Sequence, residues 1–462
     1  MRGLTGDKHP SVNLPPLPLP TRAEGGGRSR VASGEDGFLV VGRDFNRARF
    51  DPVANSKFMD DRPWAAVDAF ARNLVIGEAC LSSLVAPVDR VDADAGGEPE
   101  DDGATRERLD PAAPCDGEGI DPSGARLRDA RADRARRAPR HAYRFSVRYY
   151  GPGFAGWAWR AEDANFFAAK RKGDGDETAR GEDGGVHAAW SVGAFSAAAA
   201  TQSAIAPLFA DENTRPLWCA GRTDRGVHGL AQTVSFTTAR DLEAELGGSV
   251  SLRETVERLV SSSPAGRLGH LRVVAEPPPR KAHAKFHATF CATWRRYVYV
   301  FPKRQSMREE RTPRRDVDVS LLNEMLGALV GASREDAKSG VDCYAFARDT
   351  VEGKDSRVVF RVARAFRGRV PATTARDENG NVHRTDAEDV VVIELVADRF
   401  LRKLVRVLVA TAAREAATGA APDVLLALAA ARERAATASA APPSGLFFAG
   451  VGYGDHPEYD EA

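Results

Sequence analysis

The stretch CAGRTDRGVHGLAQTVSF (residues 219–236) places one carboxylate between two guanidinium groups, where a glycine-containing turn leads into a strand. Asp224 lies between Arg222 and Arg225, and the alternating apolar residues that follow predict a half-buried strand over 231–238. Cations beside a carboxylate favour its ionised form, and an ionised carboxylate can act as a nucleophile or a base. A surface salt bridge is the more common meaning of such a cluster, so the stretch alone leaves both interpretations open.

The composition is that of a globular chain with two or three domains. It has 462 residues, of which 43% are hydrophobic, and no apolar run approaches the roughly 20 residues that span a bilayer. Lysine plus arginine and aspartate plus glutamate both number 65, so the net charge indicates no class of partner. The five cysteines form no C-x-x-C pair, which argues against a zinc ribbon or a disulfide framework and favours a reducing compartment.

Residues 1–140 form a low-complexity extension that is predicted to be largely disordered. One island within it, residues 61–85, has apolar residues at helical spacing and predicts a helix. The first 34 residues contain several arginines and serines and only two acids, which slightly favours a transit peptide for a plastid or mitochondrion. An untargeted extension, in the cytoplasm or nucleus, explains the same composition.

From residue 141 onward, predicted strands and helices alternate. Period-two patterns predict strands, at 143–149, 231–238, 295–301, 356–368 and 389–397. Helical spacing predicts helices, near 188–209 and at 320–331, 398–419 and 422–436, with Gly331 ending the second and Asp398 capping the third. A polar, glycine-rich segment at 170–185 predicts an inserted surface loop. Since no dinucleotide fingerprint or P-loop is present, the predicted fold class is α+β.

The predicted helix 398–419 carries a basic face. Arg402 and Arg406 are four residues apart and share that face, with Arg399 and Lys403 close by. A solvated surface is the usual meaning of such a run. The alternative is that one arginine reaches into a cleft while the others contact phosphates.

A strand with mixed cations and aromatics supplies the third candidate. Arg295 and Arg296 precede Tyr297, and the alternation continues through Tyr299 and Phe301. An aromatic ring in a positive groove can stack on an extruded base. Burial in the sheet core is the alternative, and it is the preferred interpretation for Tyr299 and Phe301.

Taken together, these blocks resemble the TruA-type tRNA pseudouridine synthases. The stretch 219–236 is similar to the family signature GRTDxGVHAxxQ…F. Further family-like blocks follow in the family's order: YYGPGFAGWAW (149–159), FHATFCATWRRYVYVF (286–301), DCYAF (342–346), RFLRKLVRVLVATAAREAATG (399–419) and APPSGLFFAGVGY (441–453). The resemblance covers about residues 141–453.

This resemblance implies a fold and an assembly. The family has two ferredoxin-like halves with a joined, mostly antiparallel sheet around a positively charged central cleft. In this chain the N-terminal half, with the catalytic aspartate, is expected at 141–302 and the C-terminal half at 303–462. The resemblance also implies a homodimer on which one tRNA bridges both subunits, with no membrane partner.

The resemblance further implies a reaction, the isomerisation of uridine to pseudouridine in the anticodon arm of tRNA, without cofactor or metal. Asp224 matches the catalytic aspartate, Arg406 the arginine that pairs with it, Tyr297 the tyrosine that packs on the target base, and Arg222 an RNA contact. Attack of the aspartate on C1′ and removal of a proton from C2′ both remain open.

The other cations of these blocks are expected to contact RNA: Arg295, Arg296, Arg402 and Lys403. The alternative function is that of a catalytically inactive, family-derived RNA-binding protein. Retention of all four matched side chains at the catalytic positions favours the enzyme.

Some positions depart from the family pattern. Arg225 and Gly229 stand where bacterial members usually carry alanine, and Thr289 stands where an arginine is usual. His228, which follows a glycine and a valine, is predicted to be a structural hydrogen-bonding residue rather than a catalyst.

Overall fold

The computed structural model describes residues 31–33, 39–41, 52–84, 140–160, 163, 193–209, 217–303, 316–335, 340–376 and 382–454. The predicted loop at 170–185 lies outside the described residues. So does the larger part of the extension that is predicted to be disordered.

The elements of the described residues follow in chain order. The strands are β1 (Val31–Ser33), β2 (Leu39–Val41), β3 (His141–Tyr149), β4 (Trp218–Cys219), β5 (His228–Thr238), β6 (Leu271–Val273), β7 (Arg280–Ala282), β8 (Trp294–Pro302), β9 (Val341–Asp342), β10 (Arg357–Val358), β11 (Phe360–Val370), β12 (Thr373–Arg376), β13 (Val382–Thr385), β14 (Glu388–Ala397) and β15 (Leu446–Gly452). The α-helices are α1 (Pro52–Asp60), α2 (Trp64–Ile76), α3 (Ala197–Ala204), α4 (Leu242–Leu246), α5 (Ser249–Ser262), α6 (Pro264–Arg267), α7 (Val319–Glu335), α8 (Leu404–Ala417) and α9 (Val424–Ala431).

One large sheet organises the described part of the chain. Its strand order is β11-β14-β8-β15-β5-β3-β6, while β4 pairs with β5 and β7 pairs with β3. The pair β15–β5 is parallel, and the other pairs of this sheet are antiparallel. This mixture of helices with a mostly antiparallel sheet confirms the predicted α+β class. Among the helices of the described residues, none combines the length and the apolar composition of a membrane-spanning segment.

The two faces of β8 show how the sequence pattern builds the layers. Tyr297, Tyr299 and Phe301 point into a core cluster that also contains the apolar residues of α7, α8 and α9. Val298 and Val300 alternate with them and point into a second cluster, on the opposite face of the sheet. The period-two prediction for this strand is therefore confirmed.

The opposite face of the sheet is covered by α2, which confirms the predicted helical island. Val67, Phe70 and Leu74 are almost fully buried in a cluster with residues of strands β8, β14 and β15. Polar contacts add to this packing. The Tyr150 hydroxyl donates to Asp68 Oδ1 at 2.5 Å, and the amide of Asn73 donates to Thr373.

The prediction that Asp398 caps a helix over 398–419 is wrong. Helix α8 begins at Leu404, after Lys403 in the left-handed region at φ 60°. Asp398 instead accepts a hydrogen bond from the Val359 backbone N–H at 2.9 Å, which ties the end of β14 to β11. Arg402 is consequently not a helical neighbour of Arg406.

The predicted stop at Gly331 is also wrong, because α7 continues to Glu335. Leu322, Leu326 and Leu329 are fully buried along this helix, and their packing outweighs the low helix propensity of a solvent-facing glycine. The other two predicted helices are shorter than expected, and α3 and α9 lie within the predicted ranges.

Candidate active site

Asp224 lies in the tight connection between β4 and β5, and this connection is held by the strand that follows it. The side-chain amide of Gln232 on β5 donates to the Gly221 carbonyl and accepts from the Gly221 N–H at 3.2 Å. Gly226 adopts φ +82°, a conformation that glycine reaches without strain. The turn closes with the Val227 N–H donating to the Asp224 carbonyl at 3.2 Å.

The end of β3 and the loop that follows it pack directly against this turn. Tyr149 and Thr223 share a hydrogen bond between their hydroxyls at 2.8 Å, and the Trp157 N–H donates to the Thr223 carbonyl at 3.1 Å. A Cβ on Gly151 would lie 2.4 Å from the Gly226 carbonyl, so this close approach requires glycine. The backbone around Asp224 is therefore fixed from two sides.

Arg406 forms an ion pair with Asp224, although 182 residues separate them. Its Nη1 lies 3.2 Å from Asp224 Oδ2, and the two side chains are 14% and 27% exposed. The Arg406 Nε donates to the Ala441 carbonyl at 2.6 Å, which orients the guanidinium toward the turn. The carboxylate thus faces a partly open space and has a fixed cation beside it.

Tyr297 lies beside this pair and is 7% exposed. Its ring meets Phe400 and Phe448 edge to face, with centroids 4.9 and 5.1 Å apart. Burial is the main cause that raises the pKa of Tyr297 above its ordinary value. The nearby charge of Asp224 raises this pKa further, to a smaller extent. The hydroxyl is therefore protonated at neutral pH, which suits a packing or hydrogen-bonding role and not that of a base.

The predicted RNA contacts near the turn have different surroundings. Arg222 is exposed and makes no hydrogen bond or ion pair with any described residue. Arg295 is half-buried and donates to four carbonyls, those of Ala220, Thr289, Ala292 and Asp398. Arg295 therefore joins the turn to the segment leading into α8, and its donors are engaged inside the protein.

Arg296 does not reach the surface. It is 2% exposed and pairs with Glu394 on the neighbouring strand β14, which also pairs with Arg364 at 2.6 Å. An RNA phosphate has no access to this guanidinium, so Arg296 is left out of the proposed RNA contacts. Arg402 by contrast is exposed and pairs with Asp349 at 2.6 Å.

His228 has the structural role that its sequence context predicts. The Gly151 N–H donates to its Nδ1 at 3.2 Å, and its Nε2 donates to the Ser444 carbonyl at 3.2 Å. Full burial lowers the pKa of His228 to about 4, so the ring is neutral at physiological pH. It holds together the β3 loop, the β4–β5 turn and the segment before β15. Gln232 was assigned no role from the sequence, although it matches the glutamine of the family signature, and that match was the available signal.

Metal ligation finds no support in the described residues, where no group of three histidine, cysteine, aspartate or glutamate side chains lies close enough to hold an ion.

The chain is similar to curated proteins that share one name, tRNA pseudouridine synthase A. It is 30% identical over 242 residues to the protein of Chlorobium luteolum. The aligned region covers 52% of this chain and 79% of that protein. The chain belongs to the tRNA pseudouridine synthase A family. Its identity to the Jannaschia protein is 29% over 266 residues, 56% of this chain and 87% of the relative. Its identity to the Xanthomonas oryzae protein is 29% over 289 residues, which make up 61% of this chain and 92% of the relative.

No family model matches the chain. Membership of the tRNA pseudouridine synthase A family therefore rests on the pairwise similarity, which spans most of each relative.

Proposed function

We propose that this chain isomerises uridine to pseudouridine in the anticodon arm of tRNA, with Asp224 as the catalytic carboxylate. The observation that carries the proposal is the ion pair between Asp224 and Arg406 at 3.2 Å. It joins two motifs that are distant in the sequence, in a chain whose relatives are named tRNA pseudouridine synthase A.

The reaction needs a group that can stabilise positive charge at C1′ of the ribose. As the C1′–N1 bond breaks, its electron pair stays on uracil N1, and a carboxylate beside C1′ offsets the charge that develops on the sugar. Asp224 either bonds to C1′ or takes the proton from C2′ and later returns it. C5 then bonds to C1′, which releases the Asp224 carboxylate where it had bonded there; the proton on C5 leaves and N1 gains one, so the product is an isomer.

Tyr297 and Arg406 have supporting roles in this proposal. Extrusion of a base costs a few kcal/mol, least in a loop, and packing of the uracil on the Tyr297 ring offsets part of that cost. Arg406 pairs with the Asp224 carboxylate and aims one of its oxygens.

We further propose two ferredoxin-like halves, with the site at their junction. The C-terminal half follows the chain order strand, helix, strand, strand, helix, strand, with the elements β8, α7, β11, β14, α8 and β15. Its strands lie in the spatial order β11-β14-β8-β15. The elements β3, α3, β4, β5, α5 and β6 repeat this chain order. Because β8 lies between β14 and β15, the boundary between the halves belongs before residue 294, rather than after 302 as the sequence suggested.

The proposed RNA contacts are the cations around the site: the exposed Arg222 and Arg402 and the half-buried Lys403. Arg222 is free to meet a phosphate, whereas Arg402 would exchange Asp349 for RNA. The proposed assembly is a homodimer that shares one tRNA.

The test is release of tritium from tRNA transcribed with [5-³H]uridine, because bond formation at C5 displaces the hydrogen there. We expect release with the wild-type protein, none with Asp224→Ala, and a loss of about 10²–10³-fold with Arg406→Met. Asp241→Asn is the matched control, since Asp241 is also half-buried and paired, with Lys281 at 2.8 Å, but lies outside the site.

The alternative function, RNA binding without catalysis, gives a different result. The wild-type protein would then retain tRNA on a filter but release no tritium. Full activity of Asp224→Ala would instead contradict the assignment of the carboxylate.

A further inference from the structure

Three aromatic rings form a continuous stack beside the strand that leads to Asp224. Trp218 and His287 have ring centroids 4.6 Å apart at 31°, and His287 and Phe290 have centroids 4.4 Å apart at 36°. Phe290 ends the stack and is 83% exposed. A single exposed phenylalanine is ordinary, but this ring ends a series of tilted, closely spaced rings, so its outer face continues an existing aromatic arrangement.

The segment that carries the stack is held firmly. The Thr289 hydroxyl donates to the Cys219 carbonyl at 2.6 Å, and the Ala288 N–H donates to Ser235 Oγ at 3.0 Å. Arg295 donates to the Thr289 carbonyl from below at 2.8 Å. Phe290 is therefore presented by an anchored turn, and little ordering is needed when a ligand binds.

The stack is continuous with the proposed active site. Trp218 precedes Asp224 by six residues on the same strand and turn, so the two are at most about 20 Å apart. That upper bound corresponds to roughly six stacked nucleotides, and the two ring spacings from Trp218 to Phe290 add about 9 Å. The unpaired Arg222 lies between them, and its charge acts on the thiol of Cys219, next to Trp218.

We propose that the outer face of Phe290 binds an unpaired base of the substrate RNA, at a second site beyond the one that holds the reacting uridine. This proposal rests on the proposed function, since it takes the RNA at Asp224 to continue past Arg222. Aromatic platforms next to cations bind single-stranded bases by stacking, with little dependence on which base is present. Burial also lowers the pKa of His287, so the ring beneath Phe290 is neutral.

The experiment measures the affinity of the full chain for one unmodified tRNA transcript by filter binding. Loss of one stacked base predicts a Kd about 5- to 150-fold higher for Phe290→Ala. Phe290→Trp is expected to bind like wild type, whereas Phe290→Leu, which is apolar but cannot stack, is expected to resemble the alanine variant. Val250→Ala is the matched control, because Val250 is an exposed apolar residue at 61% on helix α5.

A second measurement identifies the base. This measurement uses a series of transcripts that each lack one base. Removal of the base that contacts Phe290 should weaken RNA binding by wild type but not by Phe290→Ala. If every abasic transcript weakens both proteins equally, or if Phe290→Ala binds as tightly as wild type, the proposal fails. The proposal also fails if Phe290→Ala lowers the molecular mass of the protein in sedimentation without changing its RNA affinity. The surface around Phe290 would then bind a second copy of the chain.

Failure of the proposed function gives a separate result. Wild type would then release no tritium from labelled tRNA, whatever the Phe290 variants do in the binding assay. Tritium release by wild type with unchanged binding by Phe290→Ala would overturn only the stacking proposal.

Discussion

Between pH 7.5 and pH 5.0 the protein is expected to lose about 2 kcal/mol of stability through His228 alone. Burial lowers the pKa of this histidine to about 4, from an unfolded value of 6.5. Below pH 6.5 the unfolded state therefore binds a proton that the folded state does not bind. The free energy of unfolding consequently decreases as the pH is lowered. The loss grows until about pH 4, where the full shift corresponds to about 3 kcal/mol.

The comparison of wild type with His228→Gln isolates this contribution. Glutamine has hydrogen-bonding groups and cannot titrate, so the variant is expected to be less stable than wild type at pH 7.5. Its stability should then depend less on pH, by about 2 kcal/mol over the same interval. Urea denaturation of both proteins at both pH values gives the four free energies of unfolding. Burial also lowers the pKa of His270 to about 4, but this contribution is common to both proteins. His283→Gln, at an exposed position, is the matched control.

Equal losses in wild type and His228→Gln would refute the reasoning, because the buried ring would then not be held neutral. If His228→Gln does not fold, the imidazole resonances of wild type supply the answer. A His228 signal that is already protonated at pH 5.5 would contradict the same argument.

Three further perturbations test the packing. Glu394→Gln should destabilise the protein by about 3–5 kcal/mol in urea denaturation, because Arg296 is 2% exposed and would lose its carboxylate partner; a loss below 1 kcal/mol would contradict this. Gly229→Ala should cost about 1–3 kcal/mol by thermal denaturation, since its Cβ would lie 2.2 Å from the Tyr149 ring, and an unchanged Tm would show that the ring moves freely. Phe70→Ala should cost about 3–5 kcal/mol in one cooperative transition, and a separate low-temperature transition would instead show that α2 unfolds on its own.

The strands were predictable from the sequence because their pattern is local. The residues from Tyr297 to Phe301 alternate between two buried layers, and the alternation appears in the sequence without knowledge of what covers each face. The start of α8 was not predictable in this way. Asp398 has the side chain of a helix cap, but it accepts from Val359, whose position is set by strand pairing.

The same distinction applies to the candidate site. The residue types of Asp224 and Arg406 were recognisable from their motifs, whereas their distance depends on how the sheet brings α8 to the β4–β5 turn. Arg296 was expected to contact RNA because its neighbours are cationic and aromatic. Its partner Glu394 is 98 residues away on β14, and no local pattern indicates a buried ion pair of that kind.

The layer formed by α2 has a consequence for synthesis of the chain. Asn73 on this helix and its partner Thr373 are 300 residues apart. At about 5–20 residues per second, roughly 15 to 60 s pass on the ribosome between them. During that time β14 and β15 are still missing, so Val67 and Phe70 have only part of their sheet to cover, and the nascent chain presents a partly uncovered apolar helix that a holding chaperone can bind. A chain that is halted before β15 would expose an uncovered helix and an uncovered sheet together, and α2 is therefore expected to dock only near the end of translation.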